Sequence, residues 1–247
     1  MGILSFLSGR RFEPLADFSS VMVDMHCHLI PGIDDGVKTI EESVSVIKSL
    51  KELGYKKIIT TPHIMSDYYR NTPEIILSGL AVVREALLRE NINIEIDAAA
   101  EYYADYDFNQ LLQKEKLLTL GDNYLLFELS YFQPSESIEE IVFNIQTSGY
   151  KALLAHPERY VYWHGNFDMY KKLKDRGVYF QLNINSLCGH YSVQVKKIAE
   201  KLIHNGMIEF LGTDTHNGHH ISLLSESIKS LFLPRLIEQG KLKNREL

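Results

Sequence analysis

The sequence predicts an α/β domain whose parallel strands form a closed or nearly closed barrel. Seven short β-rich runs alternate with longer segments of helical spacing, and parallel strands need such crossover helices. A length of 247 residues is typical of one α/β barrel and long for a single sandwich. The predicted strands are residues 21–26, 57–61, 94–100, 124–129, 152–156, 178–183 and 208–213.

Local signals predict where several helices begin and end. Thr39 is suited to be an N-cap, Glu42 completes a capping box, and Gly54 marks the end of the first helix. The second helix is predicted to begin at Pro73, because proline suits the first helical position. Ser137, followed by a glutamate three residues later, predicts another capping box at the fourth helix.

The chain is predicted to be one domain with a short N-terminal extension. No linker rich in Gly, Ser or Pro divides residues 21–247, and residues 1–20 form the extension. Its start, MGILSFLSGRR, is too short for a secretory signal, and position 6 lacks the Ser or Thr of a myristoylation signal. We expect its apolar residues either to dock on their own domain or to contact a membrane or membrane-bound partner weakly: Ile3, Leu4, Phe6 and Leu7.

Composition and charge argue against several classes of protein. A formal net charge of −6 disfavours a broad nucleic-acid-binding face, which needs clustered Lys and Arg. Two cysteines, Cys27 and Cys188, do not make a disulfide framework, which favours a cytoplasmic location. No apolar run approaches the roughly 18 residues of a membrane span. Neither cysteine is followed six residues later by arginine, which excludes a cysteine-dependent tyrosine phosphatase.

The stretch VDMHCHLIPGIDDG places two histidines, two residues apart, at the end of the first strand. Side chains alternate between the two faces of a strand. The odd-numbered residues from Val21 to Cys27 are therefore predicted to pack under the helices. The even-numbered residues from Met22 to His28, including His26, are predicted to face the barrel interior, with both imidazoles at its carboxyl-terminal mouth.

Most other strands also end in a side chain that binds metal ions. One histidine or carboxylate at a strand end is usually a satisfied polar group. A whole set of them at one barrel mouth, without interleaved basic residues, needs cations instead. The sequence therefore predicts a metal centre formed by the HxH pair with Asp34 or Asp35 (GIDDG), His63 (TTPH), Glu101 (AEYY), Glu128 (FELS), His156 (AHPERY), and Asp214 and His216 (GTDTH).

Together these motifs resemble the polymerase-and-histidinol-phosphatase (PHP) family. Within it, the chain is similar to the manganese-dependent protein-tyrosine phosphatases of bacterial capsule and exopolysaccharide operons. The HxH motif alone is weak evidence for this family, because amidohydrolases share it. Amidohydrolases, however, usually bridge their metals with a lysine where this chain has Glu128. GIDDG, AHPERY and GTDTHN, in order within residues 23–217, are specific. The resemblance implies a distorted seven-stranded (β/α)7 TIM-like barrel, the PHP fold, with a three-metal cluster.

The resemblance also implies how the ligands divide among the ions. The mixed imidazole and carboxylate set suits Mn, Fe or Zn, and its carboxylate share favours Mn. Asp34 is then a neighbour of the ligands with a catalytic or supporting role. The expected groups are His26, His28, Glu128 and Asp214 for one ion, Glu101, Glu128 and His156 for the second, and Asp35, His63 and His216 for the third, with Glu128 bridging the first two.

The implied reaction is attack on a phosphate ester by a hydroxide shared between metals. Arg159 is expected to bind the phosphate, and its alternative is a surface ion pair with Glu158. Family members of the capsule type often carry a second phosphate-binding arginine after DxHN, and this chain has none there. His219 or His220 is expected either to substitute in catalysis, with His220 preferred, or to face solvent at a helix start.

The implied partner is a phosphotyrosine protein, the Tyr-rich tail of a membrane-associated bacterial tyrosine kinase that regulates capsule or exopolysaccharide synthesis. Small phosphate esters similar to histidinol phosphate are the alternative substrates, and a metal-binding regulator without turnover is the alternative function. Aromatic residues near the mouth predict either a collar for a phosphotyrosine ring or ordinary loop packing: Tyr68, Tyr69, Tyr102, Tyr103, Tyr131, Phe132, Tyr160, Tyr162 and Trp163.

Overall fold

The computed structural model describes residues 12–105, 107–114, 116–135 and 137–247. The predicted contacts of Ile3, Leu4, Phe6 and Leu7 therefore lie outside the described residues, as does most of the predicted extension. Within the described part of the chain, no helix is long and apolar enough to cross a membrane.

Among the residues that the structure describes, nine short strands lie at or beside the seven predicted β-rich runs, and all neighbouring strands are parallel. They are β1 (Val23–Asp24), β2 (Lys57–Thr60), β3 (His63–Ile64), β4 (Glu95–Ala98), β5 (Glu101–Tyr103), β6 (Tyr124–Glu128), β7 (Lys151–Ala155), β8 (Tyr179–Asn183) and β9 (Phe210–Gly212). Their order is β1-β2-β4 in a three-stranded sheet and β3-β5-β6-β7-β8-β9 in a six-stranded sheet.

Two strand paths are interrupted just before their carboxyl ends. Thr61 and Pro62 separate β2 from β3, and Ala99 and Ala100 separate β4 from β5. Pro62 has no N–H to contribute to a ladder. The Ala99 amide nevertheless donates to the Thr60 carbonyl at 2.9 Å, so the two paths stay adjacent across the gap. The interruptions divide the hydrogen-bonded strands into two sheets, although the two interrupted chain segments remain side by side.

The chain after β1 also contacts the chain after β9. The Asp214 amide donates to the His26 carbonyl at 2.7 Å, and the His28 amide donates to the Thr215 carbonyl at 2.9 Å. The architecture is therefore an α/β fold with a curled parallel sheet. The predicted seven-stranded barrel is confirmed only in part, because the hydrogen-bonded ladder consists of a three-stranded and a six-stranded sheet.

Eight α-helices connect the strands of the described residues. They are α1 (Ile40–Glu52), α2 (Pro73–Arg89), α3 (Phe108–Lys114), α4 (Ile138–Thr147), α5 (Asp168–Asp175), α6 (Val193–His204), α7 (Gly218–Ser227) and α8 (Phe232–Glu238). The Thr39 hydroxyl accepts from the Glu42 amide at 3.2 Å, which confirms the predicted cap of α1. The capping box predicted at Ser137 is wrong, because its backbone is not extended and its side chain makes no cap bond.

Apolar side chains pack on both faces of the strands. The larger cluster contains the buried faces of the helices together with Cys27. The smaller cluster contains Leu126 and Leu153. Leu126 shares its face of β6 with Glu128, because side chains two residues apart point the same way. The smaller cluster therefore lies beneath the candidate ligands, on the inner side of the curled sheet.

The alternation predicted for the first strand is wrong in part. Val23 and Met25 belong to the smaller cluster, on the inner side of the sheet, and do not pack under the helices. Regular strand geometry covers only Val23–Asp24, and Met22 has a positive φ of 71°, so strict alternation does not extend along the segment. His26 and His28 are nevertheless fully buried at the carboxyl end, where the sequence places them.

Candidate metal centre

The nine predicted ligands come from widely separated parts of the chain and converge at the carboxyl ends of the strands. Parallel strands share this edge, so residues distant in sequence meet there. His26 and His28 follow β1, and Asp214 and His216 follow β9. The others are Asp35 before α1, His63 and Glu101 at the first residues of β3 and β5, Glu128 at the last residue of β6, and His156 directly after β7.

Four of these residues, His26, His28, Glu101 and Asp214, form what we call the inner group. Nε2 of His26 lies 3.1 Å from Glu101 Oε2 and 3.4 Å from Asp214 Oδ1. Nε2 of His28 lies 3.4 Å from each of these oxygens and 3.4 Å from Nε2 of His26. Four donors around one tetrahedral ion, at metal distances of about 2.1 Å, stand about 3.4 Å apart. The inner group therefore has the spacing of a coordination shell.

Three further residues, Asp35, His63 and His216, form what we call the outer group. Asp35 Oδ1 lies 3.4 Å from Nε2 of His63 and 3.4 Å from Nε2 of His216. His28 lies close enough to contribute to this group as well. The Asp35 side chain is 53% exposed, whereas no inner side chain is more than 4% exposed. The outer group is thus the part of the centre that solvent reaches.

Glu101 lies between the groups. Its Oε2, which faces the inner histidines, is 3.2 Å from His63 Nδ1, and its Oε1 is 3.0 Å from His156 Nε2. Glu128 also reaches His63, at 3.2 Å, but it is 3.9 Å from His156. Glu101 consequently has the bridging position that was expected of Glu128.

The expected grouping of Glu128 with the HxH pair and Asp214 is therefore wrong. The strand register gives the reason, because Glu128 is paired with Tyr103 and not with Glu101. Glu128 thus lies two residues farther along its strand, toward the mouth, than the level of Glu101. Alternation within one strand predicts which face of the sheet a carboxylate occupies. How far that carboxylate lies from the mouth depends on the register with the neighbouring strand.

One atom in the centre indicates that a cation fits there. His63 Nδ1 is buried and lies 3.2 Å from both Glu101 Oε2 and Glu128 Oε1, yet it makes no hydrogen bond. A nitrogen held close to two carboxylate oxygens without a hydrogen bond has the geometry of a shared metal ligand set. Imidazole and carboxylate donors together suit Mn, Fe or Zn. The residues present therefore fit a divalent transition metal.

Imidazoles and carboxylates strongly shift each other's pKa values in this centre. Burial lowers the pKa of His28, but carboxylates, with Asp34 foremost, raise it well above its usual range. Burial raises the pKa of Glu101, but the charges of His26 and His63 hold it well below its usual range. Metals bind neutral imidazole, so an ion bound here would displace protons that these carboxylates otherwise retain.

Each inner histidine is oriented through its second ring nitrogen. Nδ1 of His28 lies 2.8 Å from Asp34 Oδ2, and Nδ1 of His26 lies 2.9 Å from Gln181 Oε1. Both bonds require the proton on Nδ1, which leaves Nε2 to face the inner group. Asp34 is buried behind His28 and does not line the cleft. The structure thus gives Asp34 an orienting position in place of the expected catalytic one.

The sequence predicted strand β8 but assigned no site residue to it. This strand supplies two amides instead, because Asn183 Nδ2 donates to Asp214 Oδ2 at 3.0 Å and Gln181 holds His26. Gly212 on β9 makes room for the second contact. A Cβ there would lie 2.6 Å from His26 Cβ and 2.8 Å from Gln181 Nε2. The available signal was a strand ending in alternating amides between two strands that carry ligands.

Arg159 lies beside the inner group at the end of a 3-10 helix, Pro157–Arg159. Its Nη1 donates to Asp214 Oδ2 at 2.7 Å. The guanidinium lies between two aromatic rings, 4.6 Å from the centroid of Tyr131 and 4.2 Å from that of Tyr191. This arrangement fixes a positive charge at the cleft, where Arg159 was expected to bind the phosphate.

The alternative for Arg159, a surface ion pair with Glu158, is wrong. Glu158 is fully buried and accepts bonds from the Asn183 amide at 3.0 Å and the Ser186 hydroxyl at 2.7 Å. Its burial raises the pKa of the carboxyl to about 7. Glu158 thus holds Asn183, at the end of β8, and Ser186, in the turn that follows. It supports the site indirectly, without lining the cleft.

His220 lies behind His216 and does not line the cleft. Its Nδ1 accepts from the His216 amide at 3.2 Å. Burial and the neighbouring His216 lower the pKa of His220, so the ring is neutral near pH 7. The expected catalytic role of His220 is not supported by this position, and His219 is exposed at the start of α7.

The aromatic residues near the mouth divide between the two predicted roles. The cleft has a volume of about 330 Å³. Tyr102, Tyr160 and Trp163 are buried in the core, which matches packing. The aromatic residues that line the cleft are Tyr68, Tyr69, Tyr103, Tyr131 and Phe132.

The sequence profile described as "Capsular polysaccharide synthesis, CpsB/CapC" matches residues 22–228. The chain belongs to the CpsB/CapC family. Tyrosine-protein phosphatase YwqE of Bacillus subtilis is 29% identical to this family member over 197 residues, 79% of this chain and 78% of YwqE. Putative tyrosine-protein phosphatase CapC of Staphylococcus aureus is 24% identical over 233 residues, 92% of this chain and 90% of CapC. The resemblance drawn from the motifs is confirmed.

Solved structures share the fold of this CpsB/CapC member. A chain from the crystal structures of YwqE from Bacillus subtilis and CpsB from Streptococcus pneumoniae, described as unique metal-dependent tyrosine phosphatases, superposes with a TM-score of 0.78. It is 27% identical, and the match covers 90% of this chain and 95% of that chain. A lactonase from Listeria monocytogenes, at 11% identity and a TM-score of 0.55 over 95% of this chain and 94% of its own, shares the fold alone. The relatives' names agree with the expected class, a metal-dependent phosphoric monoester hydrolase.

Proposed function

We propose that this CpsB/CapC member is a metal-dependent protein-tyrosine phosphatase. The main supporting observation is the contact between the inner group and Arg159, whose Nη1 lies 2.7 Å from Asp214. A metal-dependent phosphatase brings metal ligands and a fixed cation together around one phosphate. The tyrosine-phosphatase names of YwqE and CapC support the same activity.

The nine ligands are proposed to hold up to three ions. Their carboxylate share favours Mn, with Fe and Zn as alternatives. When bound, such ions supply a hydroxide nucleophile and neutralise phosphate oxygens. We assign the inner group to the first ion, Glu101, Glu128 and His156 to the second, and the outer group of Asp35, His63 and His216 to the third.

The protein's own side chains bind and orient the phosphate. Arg159 contacts non-bridging oxygens, and its pair with Asp214 and the rings of Tyr131 and Tyr191 hold the guanidinium plane. Asp34 and Gln181 keep both inner histidines in one tautomer. The aromatic walls surround the leaving tyrosine ring and exclude water from it.

The proposed substrate is a phosphotyrosine protein, the Tyr-rich tail of a tyrosine kinase that regulates capsule or exopolysaccharide synthesis in the cytoplasm. Phe132 is 98% exposed and Tyr68 is 78% exposed at the rim of the cleft. Each ring gains about 2 kcal/mol when an apolar partner covers it. A peptide around the phosphotyrosine would cover them, whereas a small phosphate ester would not, which favours the protein substrate.

Residues 21–247 are proposed to form one domain, with residues 1–20 as its extension. Within it, we infer that the strand paths of both sheets surround one distorted seven-stranded barrel. The backbone bonds between His26 and Asp214 and between His28 and Thr215 support closure between the first and last paths. Protease-resistant boundaries mapped by mass spectrometry test the domain assignment, and stable cleavage within residues 21–247 would contradict it.

The enzyme assignment is tested by turnover of p-nitrophenyl phosphate with Mn²⁺, with and without EDTA. We expect hydrolysis that EDTA abolishes and Mn²⁺ restores. A metal-binding regulator would bind Mn²⁺ without turnover. Competition between a phosphotyrosyl peptide and histidinol phosphate separates the two substrate classes, and a preference for histidinol phosphate would favour the small-ester alternative.

The rim provides a second test of the substrate class. Phe132→Ala is expected to raise KM for a phosphotyrosyl peptide about tenfold, because about 1.4 kcal/mol of contact is lost. KM for p-nitrophenyl phosphate should change much less. Phe143→Ala is the matched control, since Phe143 is 61% exposed on α4, outside the cleft. Equal effects on both substrates would argue against a peptide-binding rim.

A further inference from the structure

The cleft contains few groups that are able to bind a phosphate. Among the described residues that line it, Arg159 is the only Lys or Arg. The segment after DTHN also lacks the second arginine that the motif pattern led us to expect. A phosphoryl group in hydrolysis spreads its charge over three non-bridging oxygens and the leaving oxygen. Arg159 alone therefore leaves room at the cleft for a further hydrogen-bond donor to these oxygens.

Tyr131 reaches both the candidate ligands and the phosphate-binding cation. Its hydroxyl lies 3.2 Å from Nε2 and 3.3 Å from Nδ1 of His156. Its ring centroid lies 4.6 Å from the Arg159 guanidinium carbon. His156 Nε2 in turn lies 3.0 Å from Glu101 Oε1, so this nitrogen faces the candidate metal centre. The Tyr131 hydroxyl is thus placed where the ligands and the phosphate site meet.

The tautomer of His156 determines what the Tyr131 hydroxyl does. When Nε2 is given to an ion, Nδ1 must carry the hydrogen of the neutral ring. The Tyr131 oxygen is almost equidistant from the two ring nitrogens, so it lies over the face of the stacked ring and not along the Nδ1–H bond. The phenolic hydrogen has no acceptor left on His156, so it turns toward whatever oxygen enters the cleft.

We propose that Tyr131 is a catalytic residue that donates a hydrogen bond to the phosphate ester and keeps its proton throughout. This inference rests on the proposed phosphatase function. Tyr131 supplies the donor that the missing arginine leaves absent, and its ring keeps Arg159 in place at the same time.

The loop that carries Tyr131 is fixed before substrate binds. The Tyr162 hydroxyl donates to the Ser130 carbonyl at 2.8 Å, one residue before Tyr131. The Tyr131 ring stacks on Tyr160, with centroids 5.8 Å apart, and Tyr160 is fully buried. A donor held in this way costs little reorganisation when charge develops on the phosphate.

The test compares Tyr131→Phe with wild type in the full chain loaded with Mn²⁺. Phenylalanine keeps the ring against Arg159 and removes only the hydroxyl. We expect kcat to fall about 10- to 100-fold, with KM changing less, because one preorganised donor is lost. Tyr150→Phe is the control, since its hydroxyl accepts from the Leu117 amide and Tyr150 lies outside the cleft. Its kcat should stay at the wild-type value.

Two further measurements separate this role from others. The metal content of Tyr131→Phe should equal wild type, and binding of inorganic phosphate to the Mn²⁺-loaded variant should weaken by about tenfold, a shift of about 1.4 kcal/mol. Wild-type kcat and phosphate affinity in the variant would overturn the proposal. A loss of bound metal that accounts for the lost activity would overturn it too, because Tyr131 would then act through His156. If wild type hydrolyses no phosphate ester, the proposed function fails, while phosphate binding still tests the Tyr131 donor.

Discussion

The inner and outer groups of the candidate metal centre use the same residue types in different surroundings. The inner side chains are at most 4% exposed, and their imidazoles bond to Asp34 and Gln181. In the outer group, Asp35 is 53% exposed and His63 Nδ1 makes no hydrogen bond, although His216 Nδ1 lies 2.9 Å from the Asp214 carbonyl oxygen. Oriented, buried ligands bind a metal more tightly than ligands that must be ordered first. We therefore expect an ion in the inner group to bind more tightly than an ion in the outer group.

The largest expected effect comes from removing a ligand of the inner group. His28→Ala is expected to lower kcat for a phosphotyrosyl peptide by about 1,000-fold or more, as for loss of an essential catalytic group. The same is expected of Asp214→Ala, which also frees Arg159 from its pair. Steady-state assays with Mn²⁺ and elemental analysis check both variants. Full activity in either would contradict the inner group as a metal site.

A smaller effect is expected from the outer group. Asp35→Asn keeps the shape of the side chain and weakens one ligand of the exposed ion. We expect the purified variant to lose about one metal equivalent and about 10- to 100-fold in kcat, while the inner ion stays bound. Elemental analysis after gel filtration measures the first quantity. Loss of all bound metal would show that the two groups do not bind independently.

The support of the inner group is tested by Gln181→Leu. Leucine removes the acceptor that fixes the His26 tautomer, so Mn²⁺ affinity is expected to fall about 10- to 100-fold. Titration against a competing chelator measures this affinity. Gln146→Leu is the control, because Gln146 bonds to the Arg176 carbonyl on the surface. An unchanged affinity in Gln181→Leu would remove the distinction between supported and unsupported ligands.

The metal-free protein is expected to lose stability as pH rises from about 7 to 10. Burial and the charge of His28 lower the pKa of His63, but Glu101 and other carboxylates raise it to about 10. A raised pKa stabilises the fold below the unfolded value near 6.5, and this stability is lost as pH rises through about 10. Thermal melts of EDTA-treated protein should show the decline. The decline in melting temperature with pH should be smaller in His63→Gln and in the Mn²⁺-loaded wild type. The same decline in these two samples and in the metal-free wild type would contradict the prediction.

The smallest effect is expected at the cysteine between the two inner histidines. Cys27 is fully buried on the helix side, and burial raises the pKa of its thiol well above the usual range. Such a thiol is not a nucleophile, so Cys27→Ser should keep kcat within about twofold. A kinetic assay with Mn²⁺ checks this. Loss of activity with normal metal content would reopen a role for the thiol.

Much of the fold was predictable because its signals are local. Hydrophobic runs, Thr39 with Glu42, and Pro73 each act over a few residues, and the structure has strands at or near all seven predicted positions. Errors arose where backbone geometry departs from its ideal period. Met22 has a positive φ, so the first strand does not alternate regularly, and Pro62 interrupts the strand path between β2 and β3. The simple alternation of faces predicts neither departure.

The sequence alone determined which residues gather at the mouth, because the carboxyl ends of parallel strands share one edge. It also determined the family, because motifs such as GIDDG and GTDTHN keep their order. Only the tertiary structure decided that Glu101 lies deeper than Glu128, that Gln181 holds His26, and that His220 lies behind His216. These are matters of register and depth between strands, and they depend on neighbours that are distant in the chain.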